Sequence, residues 1–164
     1  MTRTLRTFLP VAGDPDALVT SFLGDPQRWL PSARRDGPDT YVFMATARAF
    51  ARPVRATIGD PWRRGETCWR SITWDPVDAE GNAGTVDRFL PSLDGELGLH
   101  VTGAGQVTLV LDARYRPPGG AVGAAADAIA LGRVARGTIE HVVGEMAVRL
   151  GAEAMLQPTG APGP

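Results

Sequence analysis

Apolar and polar positions first alternate with a period of two along this chain. Thr4-Leu5-Arg6-Thr7-Phe8-Leu9 therefore predicts a strand. Pro10 to Pro15 interrupts it, and Asp14 followed by Pro15 has the form of a helix cap with proline at the first helical position. Ala17, Leu18, Phe22 and Leu23 then fall on one helical face. Gly24-Asp25-Pro26 repeats the cap-then-proline signal and predicts a second helical turn through Trp29 and Leu30, closed by Pro31. From Thr40 the period returns to two. Thr40–Ala47, Val54–Gly59, Gly65–Pro76, Gly84–Val101 and Gln106–Tyr115 read as strands, with turns expected at 78–82 and 103–105 and a break at Pro91. Short links between successive strands predict an antiparallel meander.

The alternation also says which faces are buried. In the last strand Val107, Leu109, Leu111, Ala113 and Tyr115 share one side, and Phe89, Leu93, Leu97, Leu99 and Val101 do so in the strand before it. Asp94, Glu96 and His100 take the opposite, wet side. After Pro117-Pro118-Gly119-Gly120 the period changes to 3.6, predicting one long helix over Ala121–Leu150. Leu131, Val134, Ala135, Thr138, Ile139, Val142, Val143, Met146 and Leu150 form its apolar stripe. Arg136–Glu140 and Glu145–Arg149 are spaced as i,i+4 ion pairs on its flank. A stripe of that length needs an apolar partner, and the sheet is what the chain offers. One domain over residues 1–150 is expected, with 151–164 as the helix end and a disordered Pro/Gly tail.

Composition narrows the chemistry. The 164 residues carry a net charge of −1, which argues against nucleic acid or an anionic membrane surface as the main partner. All 17 basic residues are arginine, so Schiff-base chemistry, a phosphate-loop lysine and a lysine general base are excluded. Cys68 is the single cysteine, and His100 and His141 are the only histidines. An internal disulfide is thereby impossible, and no metal site or other cofactor is expected. The N-terminus lacks a signal-peptide pattern and no run is apolar enough to insert in a membrane, so the expected location is the cytoplasm, as a monomer or homodimer.

The order of elements resembles that of the helix-grip fold, an α+β architecture in which a long C-terminal helix lies over the concave face of a curved antiparallel sheet. Asp25-Pro26-Gln27-Arg28-Trp29-Leu30-Pro31 is similar to the second-helix segment of the SRPBCC, or START-like, superfamily. Trp69-Arg70-Ser71-Ile72-Thr73-Trp74-Asp75-Pro76 and Phe89-Leu90-Pro91-Ser92-Leu93-Asp94-Gly95-Glu96-Leu97 resemble strands of its bacterial cyclase-like members. Tyr115-Arg116-Pro117-Pro118-Gly119 is similar to the entry to the final helix. The resemblance spans residues 2 to 150 and implies a cavity between helix and sheet. It does not fix a reaction, because the superfamily includes carriers, polyketide aromatase/cyclases and co-chaperone-like modules.

The functional candidates are the inward-facing residues of that space. Tyr41, Phe43, Arg70, Trp74 and Phe89 supply polar and aromatic groups. Leu93, Leu97, Leu109, Leu111 and Tyr115 line the sheet, and Leu131, Thr138 and Val142 line the helix. Arg70 shares a face with Ile72, Trp74, Glu66 and Cys68. A buried guanidinium must be paired or must meet an anion, so Arg70 is expected either to hold a ligand oxygen or to pair with Glu66 or Asp87. Arg70, Tyr41 and Asp87 are the candidates for catalysis: an arginine to stabilise an enolate, a tyrosine to relay a proton, a desolvated carboxylate as base. Thr138 is expected to bond either to a ligand or back to the preceding helical turn. Three functions follow: binding of a hydrophobic small molecule (polyketide-, lipid- or isoprenoid-like), aldol cyclisation and dehydration of a polyketide, or gripping an apolar segment of another protein.

Overall fold

The computed structural model describes residues 2–47, 50–78, 90–117 and 125–157. Strand β1 (Arg3–Val11) leads through the Asp14 cap into α1 (Pro15–Leu23), and the Asp14 carboxylate accepts the Ala17 N–H at 3.0 Å. Asp25 repeats the device before one 3-10 turn (Pro26–Arg28), accepting from the Gln27 N–H at 3.0 Å. Both helix starts are thus as the sequence dictates. Leu23 departs from expectation: it is 40 % exposed, because α1 ends there and turns it away from Leu18 and Phe22.

Among the described residues six further strands and a two-residue edge strand follow. They are β2 (Arg34–Arg35), β3 (Thr40–Ala47), β4 (Phe50–Ile58), β5 (Trp62–Arg64), β6 (Thr67–Pro76), β7 (Ser92–Val101) and β8 (Val107–Arg116). Every pairing is antiparallel, in the order β1-β8-β7-β6-β4-β3-β2, with β5 running beside β6 past the end of β4. The strand expected to begin at Gly65 is two strands instead. Gly65 takes φ +59° in the turn between β5 and β6, a conformation glycine adopts at little cost. Gly59-Asp60-Pro61 separates β4 from β5 as a kink opposite Arg70 and Ser71. The strand expected over Gly84–Val101 is described from Ser92 onward. Phe89, Asp87 and the start of the long helix at Ala121 lie outside the described residues.

Strand β7 carries glycine where its neighbours leave no room for a side chain. A Cβ on Gly95 would come within 2.4 Å of the Asp112 carbonyl oxygen, and one on Gly98 within 2.7 Å of the Trp69 ring. Across the concave side lies α2 (Ala125–Leu156), whose 32 residues make a rod of about 48 Å. It runs six residues beyond the expected end at Leu150, since Ala154 still finds the core and is 4 % exposed. Ala135, Ile139, Val142, Val143, Met146 and Leu150 all enter the core as the stripe predicts. Arg136 and Glu140 form their pair at 2.8 Å. Arg149 does not pair with Glu145; it donates to the Ser32 hydroxyl at 3.2 Å, tying α2 to the loop after the 3-10 turn. No helix among the described residues is long and apolar enough to cross a membrane.

Candidate functional site

Strand register sets the concave face in rows. One row crosses five strands from Tyr115 on β8 through Leu93, Trp74 and Ala56 to Tyr41 on β3, with Arg3 on β1 beside Tyr115. Every aromatic in it has its polar atom engaged. The Trp74 indole N–H donates to the Pro91 carbonyl at 2.9 Å, and its ring meets Phe43 edge-on at 6.1 Å. The Tyr115 hydroxyl points at the Gly132 carbonyl of α2, 3.5 Å away. The Tyr41 hydroxyl points at the Asp25 carboxylate, also 3.5 Å away, with the Arg35 guanidinium 5.0 Å above the Tyr41 ring. Burial pushes the Tyr41 hydroxyl above its ordinary pKa, which makes it a poor proton donor at neutral pH.

Two rows further along the face sits Arg70, 5 % exposed as its inward parity requires. Glu66 is not its partner, and Asp87 lies outside the described residues. Its Nε donates to the Phe22 carbonyl at 3.0 Å, Nη2 to those of Leu23 at 2.7 Å and Gly24 at 2.9 Å, and Nη1 to that of Gly59 at 2.9 Å. Glu66 is exposed in the β5–β6 turn and cannot reach it. The guanidinium therefore caps the C-terminus of α1 and clasps it to the kink after β4. Four of its five N–H groups are used, leaving one on Nη1. Burial lowers its pKa, while Tyr41, Asp60 and Asp25 act the other way. It stays a cation at ordinary pH.

The rest of the interface is apolar. Ile72, Leu97 and Leu111 of the sheet and Ile139, Val142 and Met146 of α2 are each 0 % exposed, so no water-sized space adjoins them. Leu109 and Phe43 are 1 % exposed and Leu93 is 3 %. The space expected over the whole face is thus closed at its middle by these side chains. The cover thins toward the first turns of α2, where Leu131 and Val134 are half-buried and Ile129 is 55 % exposed. Those turns lie at the level of the Tyr115 row, because Tyr115 addresses Gly132.

Thr138 bonds back to the Val134 carbonyl at 2.9 Å, the second of its two expected fates. His100 lies on the outer face and shares a hydrogen bond of 2.9 Å with the Thr67 hydroxyl, while His141 is exposed. Cys68 is a buried core residue. Among the described residues no three His, Cys, Asp or Glu side chains are grouped as metal ligands.

Sequence reasoning missed the cluster around Asp25. Its carboxylate accepts from Arg35 at 2.7 Å as well as from Gln27, joining the 3-10 turn to β2 and β3. The cap signal at Asp25 was legible; its long-range partner in Arg34-Arg35 was not. Also unannounced is the stacking of Phe22 on Trp29, ring centroids 5.6 Å apart. Within this segment the Trp29 indole N–H and the Ser21 hydroxyl are buried without a hydrogen-bond partner.

No family model matches the chain, and none of the curated proteins resembles it in sequence. Solved structures do. The ZhuI aromatase/cyclase from a Streptomyces species superposes with a TM-score of 0.57 at 14 % identity, with 100 % of each chain covered. Ara h 8.0201 does so with 0.54 at 10 % identity over 94 % of this chain and 99 % of that one. A START superfamily protein from Mycobacterium smegmatis gives 0.51 at 12 % identity over 91 % and 97 %. At such identities the likeness speaks for architecture alone. With its curved antiparallel sheet gripping one long C-terminal helix, the chain has the START-like, helix-grip fold.

Proposed function

We propose that the protein binds a hydrophobic small molecule between the sheet and the N-terminal half of α2. The observation that carries this reading is the uneven cover of the α2 stripe. Leu131 and Val134 continue the apolar face that the sheet buries completely from Ala135 onward, yet they are left half-covered beside Tyr115. Apolar area left open next to a buried aromatic row favours an apolar guest by roughly 25 cal/mol for each Å2 it covers. The fold supports the same reading, since a START superfamily protein shares it. Polyketide-, lipid- and isoprenoid-like molecules all fit such chemistry.

Native mass spectrometry of the purified protein, before and after organic extraction, tests the reading. An extractable adduct of a few hundred daltons, lost in Leu131→Trp and in Val134→Trp, is the expected result. A guest-free wild-type protein that also takes up no added naphthalene or fatty-acid probe overturns it.

A second reading, polyketide aromatase/cyclase, has one observation in its favour. Arg70 is a cation on the concave face with no carboxylate bonded to it and one N–H unspent, which suits an enolate or phenolate oxygen. Binding is the better supported of the two, because Tyr41 is engaged with Asp25 and both histidines lie off this face. Asp87, the remaining candidate base, lies outside the described residues. Turnover of a linear poly-β-ketone thioester to a ring, abolished in Arg70→Met at unchanged probe affinity, would favour catalysis.

A further inference from the structure

The back of α2, turned away from the sheet, carries apolar side chains that the fold leaves in water. Val148 is 74 % exposed and Met155 75 %. They belong to one face, on which Gly137, His141, Gly144, Val148, Ala152 and Met155 follow at steps of three and four residues. Five of these six are exposed and Gly144 is half-buried. The two glycines of this face have no reason within the chain. Gly132 and Gly151 are glycine because Arg3 and Ala12 occupy the place of a side chain, whereas at Gly137 and Gly144 no neighbour lies within 4 Å of it. Glycine inside a helix weakens it relative to alanine, so two of them on an open face are a cost without an internal return.

Knobs and gaps on this face match each other when α2 meets a second α2 running antiparallel. Take a two-fold axis at the level of Met146. Gly144 and Val148 stand two residues to either side of it, and Gly137 and Met155 nine residues to either side. Val148 of each copy then faces Gly144 of the other, and Met155 faces Gly137. Each protruding side chain meets a position that lacks one, which lets the axes approach to about 8 Å. A shallow crossing near 20° keeps the outer pair in touch about 13 Å from the axis, where a 50° crossing would part it. A parallel pair would instead set Val148 against Val148 and glycine against glycine. Charge agrees with the antiparallel choice. Glu145 and Arg149 lie on the same flank of the seam, and within the chain Arg149 turns to Ser32 rather than to Glu145. Across the two-fold, Glu145 comes beside Arg149 of the other copy, and the contact occurs twice.

We propose that the back of α2 is a docking surface for a second copy of this chain, forming an antiparallel two-fold dimer with Val148 and Met155 seated on Gly144 and Gly137. The seam from Gly137 to Met155 is about 28 Å long and one helix wide, roughly 300 Å2 in plan. That falls short of the roughly 800 Å2 per partner of a standard interface, so the dimer is weak, with a Kd of about 10–100 µM. The inward side of α2 keeps its contacts with the sheet in both states, so the dimer does not depend on a guest.

Sedimentation equilibrium of the full chain from about 1 to about 300 µM tests the dimer. The mean mass of wild type should climb from the 17.4 kDa of one chain toward twice that value. Val148→Arg, which sets a charge into the gap, and Gly144→Leu, which fills it, should each raise the Kd at least about tenfold. Gly144→Leu in dilute protein should melt no lower than wild type, because leucine favours the helix, so lost association is not lost folding. Glu145→Arg places arginine against Arg149 of the other copy and should raise the Kd at least about threefold. Phe8→Ser removes a 61 % exposed aromatic from the outer face of the sheet and should leave the Kd as it was. A wild-type chain that stays monomeric at 300 µM overturns the proposal, as does a dimer that survives both Val148→Arg and Gly144→Leu. Loss of the dimer in Phe8→Ser would move the interface to the sheet, and an unchanged Kd in Glu145→Arg would refute the antiparallel register.

Discussion

Arg70 meets the last carbonyls of α1, where the helix dipole concentrates negative charge, and so a buried cation is balanced without a carboxylate. Its inward position was legible from strand parity alone. Its partners were not, because all four are backbone carbonyls, three of them in a segment 46 to 48 residues away. Arg70→Met takes the donor from the buried Phe22 carbonyl and from the part-buried carbonyls of Leu23 and Gly24, and is expected to cost about 1–3 kcal/mol in urea denaturation. A loss below about 0.5 kcal/mol would contradict the clasp. The glycines of α2 give a second, signed prediction. Gly137→Ala and Gly144→Ala meet open space and should each add about 0.5–1 kcal/mol. Gly151→Ala drives its methyl to 2.8 Å from the Ala12 carbonyl oxygen and should destabilise. Thermal melts of the three variants decide it; a uniform gain would show that α2 is free of the loop after β1 at Gly151.

Among elements, the caps, the turn at 103–105 and the long amphipathic helix were legible because each rests on local chemistry, whereas the turn expected at 78–82 lies almost wholly outside the described residues. Asp14-Pro15 and Asp25-Pro26 set both helix starts. The α2 stripe placed Ala135, Ile139 and Val142 in the core correctly. What failed to appear was non-local. Arg34-Arg35 has no strand pattern of its own and becomes β2 only by pairing with Tyr41 and Val42. The join it makes to the 3-10 turn through Asp25 should respond to acid. Burial alone would raise the Asp25 pKa, but the Gln27 N–H, Arg35 and Tyr41 together hold it below the ordinary 3.8. A carboxylate depressed in this way adds stability that is complete above 3.8 and lost as pH falls through the folded value. The stability advantage of wild type over Asp25→Asn should therefore be constant near neutrality and shrink between about pH 5 and pH 2. Denaturation midpoints at a series of pH values check this; a gap independent of pH would remove Asp25 from the join.

For the whole molecule, the sequence order of one strand, two short helices, a meander and a long helix was enough to identify the helix grip, since those local patterns permit few other topologies. It could not say how full the grip is. Whether Ile72, Leu97 and Met146 meet or stand apart depends on the curvature that Gly95 allows and on the height at which Gly132 and Gly151 seat α2, both long-range outcomes. The proposed hydrophobic guest sits under the early turns of α2, beside Leu93, Trp74 and Tyr115. Titration of the protein, carbon-13-labelled at leucine and valine methyls, with an apolar probe such as 2-acetylnaphthalene tests it most directly by NMR. Saturable shifts are expected at Leu93, Leu131 and Val134, with Val110 on the outer face and Val148 on the exposed side of α2 unmoved. Shifts confined to Val110 and Val148, or none at any of the five, would contradict it.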